Sequence, residues 1–343
     1  MVKVLVIDDS PLIRRVLTEI LQQADDLEVV GSAEDPYQAR TMIKQLNPDV
    51  LTLDIEMPKM DGISFLKNLM RLRPMPVVMI STLTQKGSPI TLEALELGAV
   101  DFIAKPTVNA SKQFTQYAKV VQQKVRTAAA ARVRAFKLNE VKPIETLHNS
   151  QFSLKKVVAI GASTGGTEAI KEVLIRMPEN CPPIVITQHI PPVFSSSFAQ
   201  RMDRTCAINV KEAQHGDKLA AGWAYIAPGD QHLSVVQRGS SLYCQLDQSD
   251  PVNRHRPAVD VLFNSLVEVC PKNTIAALLT GMGNDGAKGL LALKQHGAYT
   301  VAQDELSSVV WGMPKAAIEL GAAIDVVSLD RVAQQLLSQA IKH

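Results

Sequence analysis

The chain is 343 residues long, with 46% hydrophobic residues, only 4% aromatics and a formal charge of +2, a length that suits two ordinary domains and a composition that favours α/β layers over an all-β sandwich. No apolar run is long enough to span a bilayer and Met1-Val2-Lys3 leads into a strand ending at Asp8, so no signal peptide and no membrane insertion are expected. Cys181, Cys206, Cys244 and Cys270 are scattered, with no C-x-x-C pair; they read as reduced thiols of a cytoplasmic protein rather than a disulfide or zinc framework.

From the start, apolar strand candidates at Val4–Ile7, Val29–Ser32, Val50–Leu53, Val77–Ile80 and Asp101–Ala104 alternate with helical patterns near Leu12–Ala24, Pro36–Gln45, Gly62–Arg71 and Ile90–Leu97. Such alternation predicts a doubly wound parallel sheet whose strand C-termini share one edge. Asp8 and Asp9 end the first strand, Asp54 the third, Ser81 the fourth and Lys105 the fifth, so all five polar groups converge at that edge. Clustered carboxylates repel unless a cation lies among them, which points to an oxygen-rich Mg²⁺ site at Asp8, Asp9 and Asp54. In that site Asp54 is the candidate nucleophile towards a phosphoryl group, with Lys105 pairing to a phosphate oxygen and Ser81 offering a hydroxyl.

The motifs Val6-Ile7-Asp8-Asp9-Ser10, Leu53-Asp54-Ile55-Glu56-Met57-Pro58 through Asp61-Gly62, and Lys105-Pro106 resemble those of two-component receiver domains over about residues 1–125. The resemblance implies a flavodoxin-like fold and Mg²⁺ bound by Asp9, Asp54 and the Glu56 backbone carbonyl. It further implies phosphorylation of Asp54 by a histidine kinase and signal relay through Ser81 and the ring of Phe102.

Residues 107–153 hold 8 basic and 2 acidic side chains, against 11 and 15 in residues 1–106 and 17 of each in residues 154–343. Phe114, Tyr117, Val121 and Val125 fall at helical spacing before a polar stretch with Pro143. This reads as the last receiver helix running into a basic linker at 126–153. The stretch from 107 to 153 holds only four aromatics, Phe114, Tyr117, Phe136 and Phe152, and no DNA-reading motif, so a solvated linker is expected and no nucleic-acid partner.

A second domain, 154–343, opens with another strand near Leu154 and offers further strand candidates at Ile184–Thr187, Ala224–Ile226, Ser234–Val236, Leu242–Gln245, Ile275–Leu279 and Tyr299–Ala302. Some have no helix between them, so the expectation is a mainly parallel α/β sheet with an antiparallel hairpin at one edge. Gly161-Ala162-Ser163-Thr164-Gly165-Gly166 directly follows the run Val157–Ile160 and presents a serine on a tight strand-to-helix turn. A serine nucleophile needs a base and a group orienting that base. His189 in Gln188-His189-Ile190-Pro191 and Asp285 in Thr280-Gly281-Met282-Gly283-Asn284-Asp285-Gly286 each follow a predicted strand and are the candidates. His255, in His255-Arg256-Pro257-Ala258-Val259-Asp260, is the rival base. It ranks second because an adjacent arginine disfavours the imidazolium. The amides of Thr164 and Met282 are candidate oxyanion donors. The glycine loop alone leaves open a phosphate cradle without turnover, and the order Ser, His, Asp matches neither α/β-hydrolases nor the familiar serine proteases.

Ile160–Glu168, Gln188-His189, Ala227-Pro228-Gly229-Asp230-Gln231-His232-Leu233, the His255–Asp260 hexapeptide and Thr280–Gly286 resemble the chemotaxis methylesterases of the CheB family, from about Leu154 to the C-terminus. The resemblance implies Ser163, His189 and Asp285 as a triad, an oxyanion role for the Met282 amide, and an esterase reaction needing no cofactor. It implies hydrolysis of glutamate γ-methyl esters on chemoreceptor helices, deamidation of receptor glutamines, and a receiver that inhibits catalysis until Asp54 is phosphorylated by the chemotaxis kinase.

Overall fold

The computed structural model describes residues 1–81, 88–105, 111–133, 151–153 and 155–341. The chain divides into two compact units, Met1–Leu138 and Asn139–His343. Most of the basic stretch expected to form a linker lies outside the described residues, as does Leu154. Among the described residues no helix is long and apolar enough to cross a membrane.

The first unit runs β1 (Val2–Ile7), α1 (Pro11–Gln22), β2 (Leu27–Ala33), α2 (Pro36–Leu46), β3 (Val50–Asp54), α3 (Gly62–Leu72), β4 (Val77–Ser81), α4 (Ser88–Glu96), β5 (Asp101–Ala104) and α5 (Ser111–Ala129). Its five strands pair in parallel in the order β2-β1-β3-β4-β5. Every residue of β3 and β4 is buried, as expected of a sheet covered by helices on both faces. The helices start where the sequence provides caps: Ser10, Asp35 and Asp61 accept hydrogen bonds from the first-turn amides of α1, α2 and α3, satisfying donors with no intrahelical partner. Chain order reverses between β1 and β3, which opens a crevice at their carboxyl ends.

The second unit runs β6 (Val157–Ala162), α6 (Gly166–Leu174), β7 (Ile184–Gln188), α7 (Pro192–Thr205), β8 (Asn209–Glu212), β9 (Trp223–Ile226), β10 (His232–Arg238), β11 (Ser241–Asp247), α8 (Val259–Val269), β12 (Thr274–Leu278), α9 (Ala287–Gln295), β13 (Tyr299–Gln303), α10 (Met313–Glu319), β14 (Asp325–Val327) and α11 (Leu329–Ser338). Seven strands pair in parallel in the order β14-β13-β12-β6-β7-β9-β8. The expected hairpin is β10-β11, which pairs as a two-stranded antiparallel sheet of its own and is tied to α8 by the Val235 amide donating to Ser265 Oγ at 2.9 Å. The two outermost strands, β8 and β14, carry no continuous apolar run and are additions to the strands read from the sequence. Chain order reverses at β6, whose neighbours are β7 and β12, so the loops leaving these three central strands frame the second crevice.

Candidate active site

In the second unit the turn after β6 is held from below and from both sides. The Ser163 amide donates to Thr280 O at 3.0 Å, and Gly166 N donates back to Ser163 O at 2.7 Å. Gly165 has a φ of +74° at the N-cap of α6, a left-handed conformation that favours glycine and lets the chain turn from strand to helix in so few residues. Gln188, at the end of β7 and 3% exposed, donates its side-chain amide to both Ser163 O and His189 O, at 2.9 and 3.1 Å. The His189 amide donates to Ala162 O. The backbones of Ser163 and His189 are therefore fixed to one another before their side chains meet.

The side chains form a continuous chain. His189 Nδ1 lies 3.1 Å from Ser163 Oγ, and His189 Nε2 lies 2.8 Å from Asp285 Oδ2. The imidazole thus faces the serine through Nδ1 and the carboxylate through Nε2, the reverse of the arrangement in the chymotrypsin template. Either nitrogen serves as the base provided the other carries its proton towards the carboxylate. Asp285 is buried and receives four donors. Oδ2 accepts from His189 and from the Val259 amide at 2.7 Å, while Oδ1 accepts from Asn253 Nδ2 at 2.7 Å and the Asp260 amide at 3.2 Å. Burial alone would raise its pKa, but the hydrogen bond and charge of His189, with the Asn253 and Val259 donors, bring it down to about 2. The carboxylate is therefore ionised throughout the neutral range.

The loop after β12 closes the other side of the serine. Gly281 approaches so closely that a Cβ there would sit 2.7 Å from Ser163 Cβ and 2.4 Å from Met313 Sδ, which restricts this position to glycine. Its neighbour Met282 is 37% exposed, and Thr164 O accepts from Thr280 Oγ1 at 3.0 Å. The two candidate oxyanion residues thus flank Ser163, one along its own chain and one on the β12 loop.

His255 lies against the base. Its ring stacks on that of His189, with centroids 3.7 Å apart and planes 10° from parallel. Its neighbour Arg256 turns away to pair with Asp230 at 2.7 Å. The hexapeptide that offered a rival base instead supplies a flat wall behind the base. Asn253, two residues earlier, is a site residue that the sequence reading did not single out. No periodicity or spacing marks it, and only the fold brings it to Asp285.

In the first unit Asp8, Asp9 and Asp54 each offer an oxygen within 4.8 Å of the others. Lys105 Nζ pairs with Asp54 at 2.7 Å and approaches Asp8 at 3.6 Å. Asp54 has its pKa pushed up to about 6, by burial first and by the charge of Asp8, against the pull of Lys105. Asp8 Oδ2 is buried without a hydrogen-bond partner, the kind of orphaned oxygen that a hard cation satisfies. The donor set is all carboxylate, and it fits Mg²⁺. Ser81, buried at the end of β4, shares a hydrogen bond with Thr91 at 3.0 Å. Phe102 is half-buried on β5, with Lys124 Nζ 5.0 Å from its ring centroid. Glu56 follows Asp54 by two residues, and its amide donates to Asp54 Oδ1 at 3.3 Å.

Residues 158–336 match the family described as CheB methylesterase, and residues 4–116 match the response regulator receiver domain. The chain is 52% identical over 348 residues to a protein of Nitrosomonas europaea named protein-glutamate methylesterase/protein-glutamine glutaminase, covering 99% of this chain and 97% of the relative. It is 56% identical over 337 residues to a second such protein from Vibrio vulnificus, with 97% of each covered. Among solved structures, the CheB methylesterase catalytic domain of Thermotoga maritima is 41% identical with a TM-score of 0.52, covering 53% of this chain and 97% of that one.

Proposed function

The chain belongs to the CheB methylesterase family, with a response regulator receiver domain ahead of the catalytic one, and on that premise we propose that it hydrolyses glutamate γ-methyl esters on chemoreceptor helices under the control of phosphorylation at Asp54. Methanol is the leaving group. Glutamine side chains at the same positions are deamidated by the same attack, with ammonia leaving instead. The receiver, about residues 1–125, restrains the catalytic domain, 154–343, until Asp54 is phosphorylated. The partners are therefore methylated receptor helices and a chemotaxis histidine kinase, and the place of action is the cytoplasm.

The observation that carries this reading is the hydrogen-bonded chain Ser163–His189–Asp285 at the strand ends of the domain that matches the family. His189 Nδ1 takes the Ser163 proton as Oγ attacks the ester carbonyl, and Asp285 holds the ring and stabilises the imidazolium. The amides of Met282 and Thr164 receive the developing oxyanion. His189 then protonates the departing methoxide, leaving an acyl-enzyme on Ser163. Water, activated by the same nitrogen, clears it to the free glutamate.

In the receiver, Asp8, Asp9, Asp54 and the Glu56 carbonyl would hold Mg²⁺, which when bound offsets the charge of an incoming phosphoryl group. Asp54 is the acceptor, and Lys105 pairs with a phosphate oxygen. Ser81 and Phe102 carry the change outward.

Methanol release from methylated chemoreceptor membranes tests both halves, with and without a small-molecule phosphodonor and Mg²⁺. Wild type should be stimulated by the phosphodonor, Ser163→Ala should be inactive, and Asp54→Asn should keep its basal rate and lose only the stimulation. Release by Ser163→Ala at the wild-type rate would overturn the catalytic assignment.

A further inference from the structure

Asp285 is not the only carboxylate at the base of the site. Asp260, in the first turn of α8 and 6% exposed, lies beside it, and one side-chain amide spans the two. Asn253 Nδ2 donates to Asp285 Oδ1 at 2.7 Å and to Asp260 Oδ2 at 2.8 Å, which uses both of its protons. Asp260 is otherwise held by the Gly289 amide donating to Oδ1 at 2.7 Å. Asn253 has a φ of +51°, within the left-handed region that Asn, Asp and Gly tolerate best. The same turn delivers His255 onto the face of His189.

We infer that Asn253 is a positioning residue of the reaction: its amide bridges Asp285 and Asp260, holding the two carboxyl groups side by side and the catalytic carboxylate aimed at His189 Nε2. The inference rests on Ser163, His189 and Asp285 being the catalytic triad. Two buried carboxylates in contact raise one another's proton affinity unless a donor lies between them. Burial and the neighbouring charge of Asp285 do hold the pKa of Asp260 above its ordinary value, against the donors from Gly289 and Asn253. Asp285, which accepts hydrogen bonds from His189, Asn253 and Val259, is instead held low. The titratable side chains around Asp285 are His189 from the end of β7 and Asp260 from α8, with His255 from the turn stacked on His189. Arg256 is committed to Asp230.

Removing the amide leaves an unscreened second negative charge beside the His189–Asp285 pair, so the pair binds its proton more tightly and the neutral base is reached only at higher pH. The experiment is the pH profile of kcat/KM for methanol release by the phosphodonor-activated full chain, with methylated receptor membranes as substrate. Asn253→Gly keeps the left-handed backbone and deletes the amide. It should lower kcat roughly tenfold or more with KM little changed, the loss expected for a hydrogen bond to a charged group, and should move the acid limb up by about one pH unit.

Asp260→Asn removes the second charge while its side-chain oxygen still accepts from Gly289. Adding it to Asn253→Gly should bring the acid limb back towards its wild-type position. Asn253→Asp, close to isosteric and equally at ease with a positive φ, should move the limb up further and serves if the glycine variant does not fold. An acid limb unmoved in Asn253→Gly and Asn253→Asp, whatever the change in kcat, would mean that Asn253 only shapes the turn, and the inference would fall. Ser163→Ala measured alongside separates the two questions, because activity surviving there overturns the triad itself.

Discussion

At the scale of single residues, the two carboxylates that matter most sit at the same topological place in two different sheets and have been driven in opposite directions. Asp54 is pushed up to about 6 and Asp285 down to about 2. Burial raises both, so the difference lies in what faces them. Each has a second carboxylate beside it, but Asp54 is answered by only Lys105 and the Glu56 amide, whereas Asp285 receives four donors, one of them the imidazole it orients. A phosphoacceptor that awaits a cation and a carboxylate that must never lose its charge need these opposite surroundings. The depressed value of Asp285 has a consequence for stability, with a definite sign. A carboxyl group whose folded pKa lies below its ordinary 3.8 stabilises the fold fully above the ordinary value, and loses that contribution as the pH falls through the folded one. The contribution is on the order of 2 kcal/mol. Thermal unfolding of the second unit followed from pH 6 to pH 2 should therefore show a wild-type advantage over Asp285→Asn that narrows below about pH 4. Parallel curves down to pH 2 would mean that the Asp285 charge is not coupled to folding.

Helices and strands show what decides legibility. The buried central strands are continuous apolar runs ending in or just before a functional residue, which places Asp54 at the edge of one sheet and Ser163, His189 and Asp285 at the edge of the other. The edge strands did not announce themselves. Asn209–Glu212 and Asp325–Val327 are short and partly polar because one side of each faces no further strand, and the apolar run that marks a buried strand has no cause to form there. Asn253 was invisible for a related reason: its role comes from a contact with Asp285, 32 residues away, in a turn whose sequence has no period. The helix starts were more open to reading. Asp61 accepts from Ser64 N at 2.7 Å and Ser64 Oγ at 3.0 Å, capping α3 directly after the loop that follows Asp54, where Gly62 N donates to Ile55 O at 2.9 Å. Asp61→Ala should cost the first unit about 1 kcal/mol, seen as a lower midpoint for its transition in denaturant, with no change in basal methanol release. A basal rate that fell with it would show that the cap serves the catalytic unit as well.

Across the whole molecule, a phosphoacceptor unit and a catalytic unit are two compact bodies on one chain, each with its own sheet and crevice. Control of one by the other then has to be a shift between a restrained and a competent population, because phosphorylation adds charge in a unit that holds none of Ser163, His189 and Asp285. Such a shift is bounded by arithmetic: each tenfold of activation corresponds to about 1.4 kcal/mol of differential stabilisation, which a phosphoryl group and its cation can supply through a few charge-assisted contacts. Restraint and activation make different predictions for a chain from which the first unit has been removed. If the receiver holds the catalytic unit back, residues 151–343 alone should release methanol faster than the unphosphorylated full chain and should ignore the phosphodonor. The Asp54→Asn full chain should stay at the restrained rate with or without the donor. If the phosphorylated receiver instead adds something that catalysis needs, the isolated unit should run no faster than the unphosphorylated chain, and the rise on phosphorylation would have to come from a contribution of the receiver to the reacting complex. Comparing the three proteins across a range of receptor concentrations distinguishes these cases, since relief of restraint gives the isolated unit a higher kcat/KM than the unphosphorylated chain, whereas a receiver contribution to the reacting complex leaves it no higher.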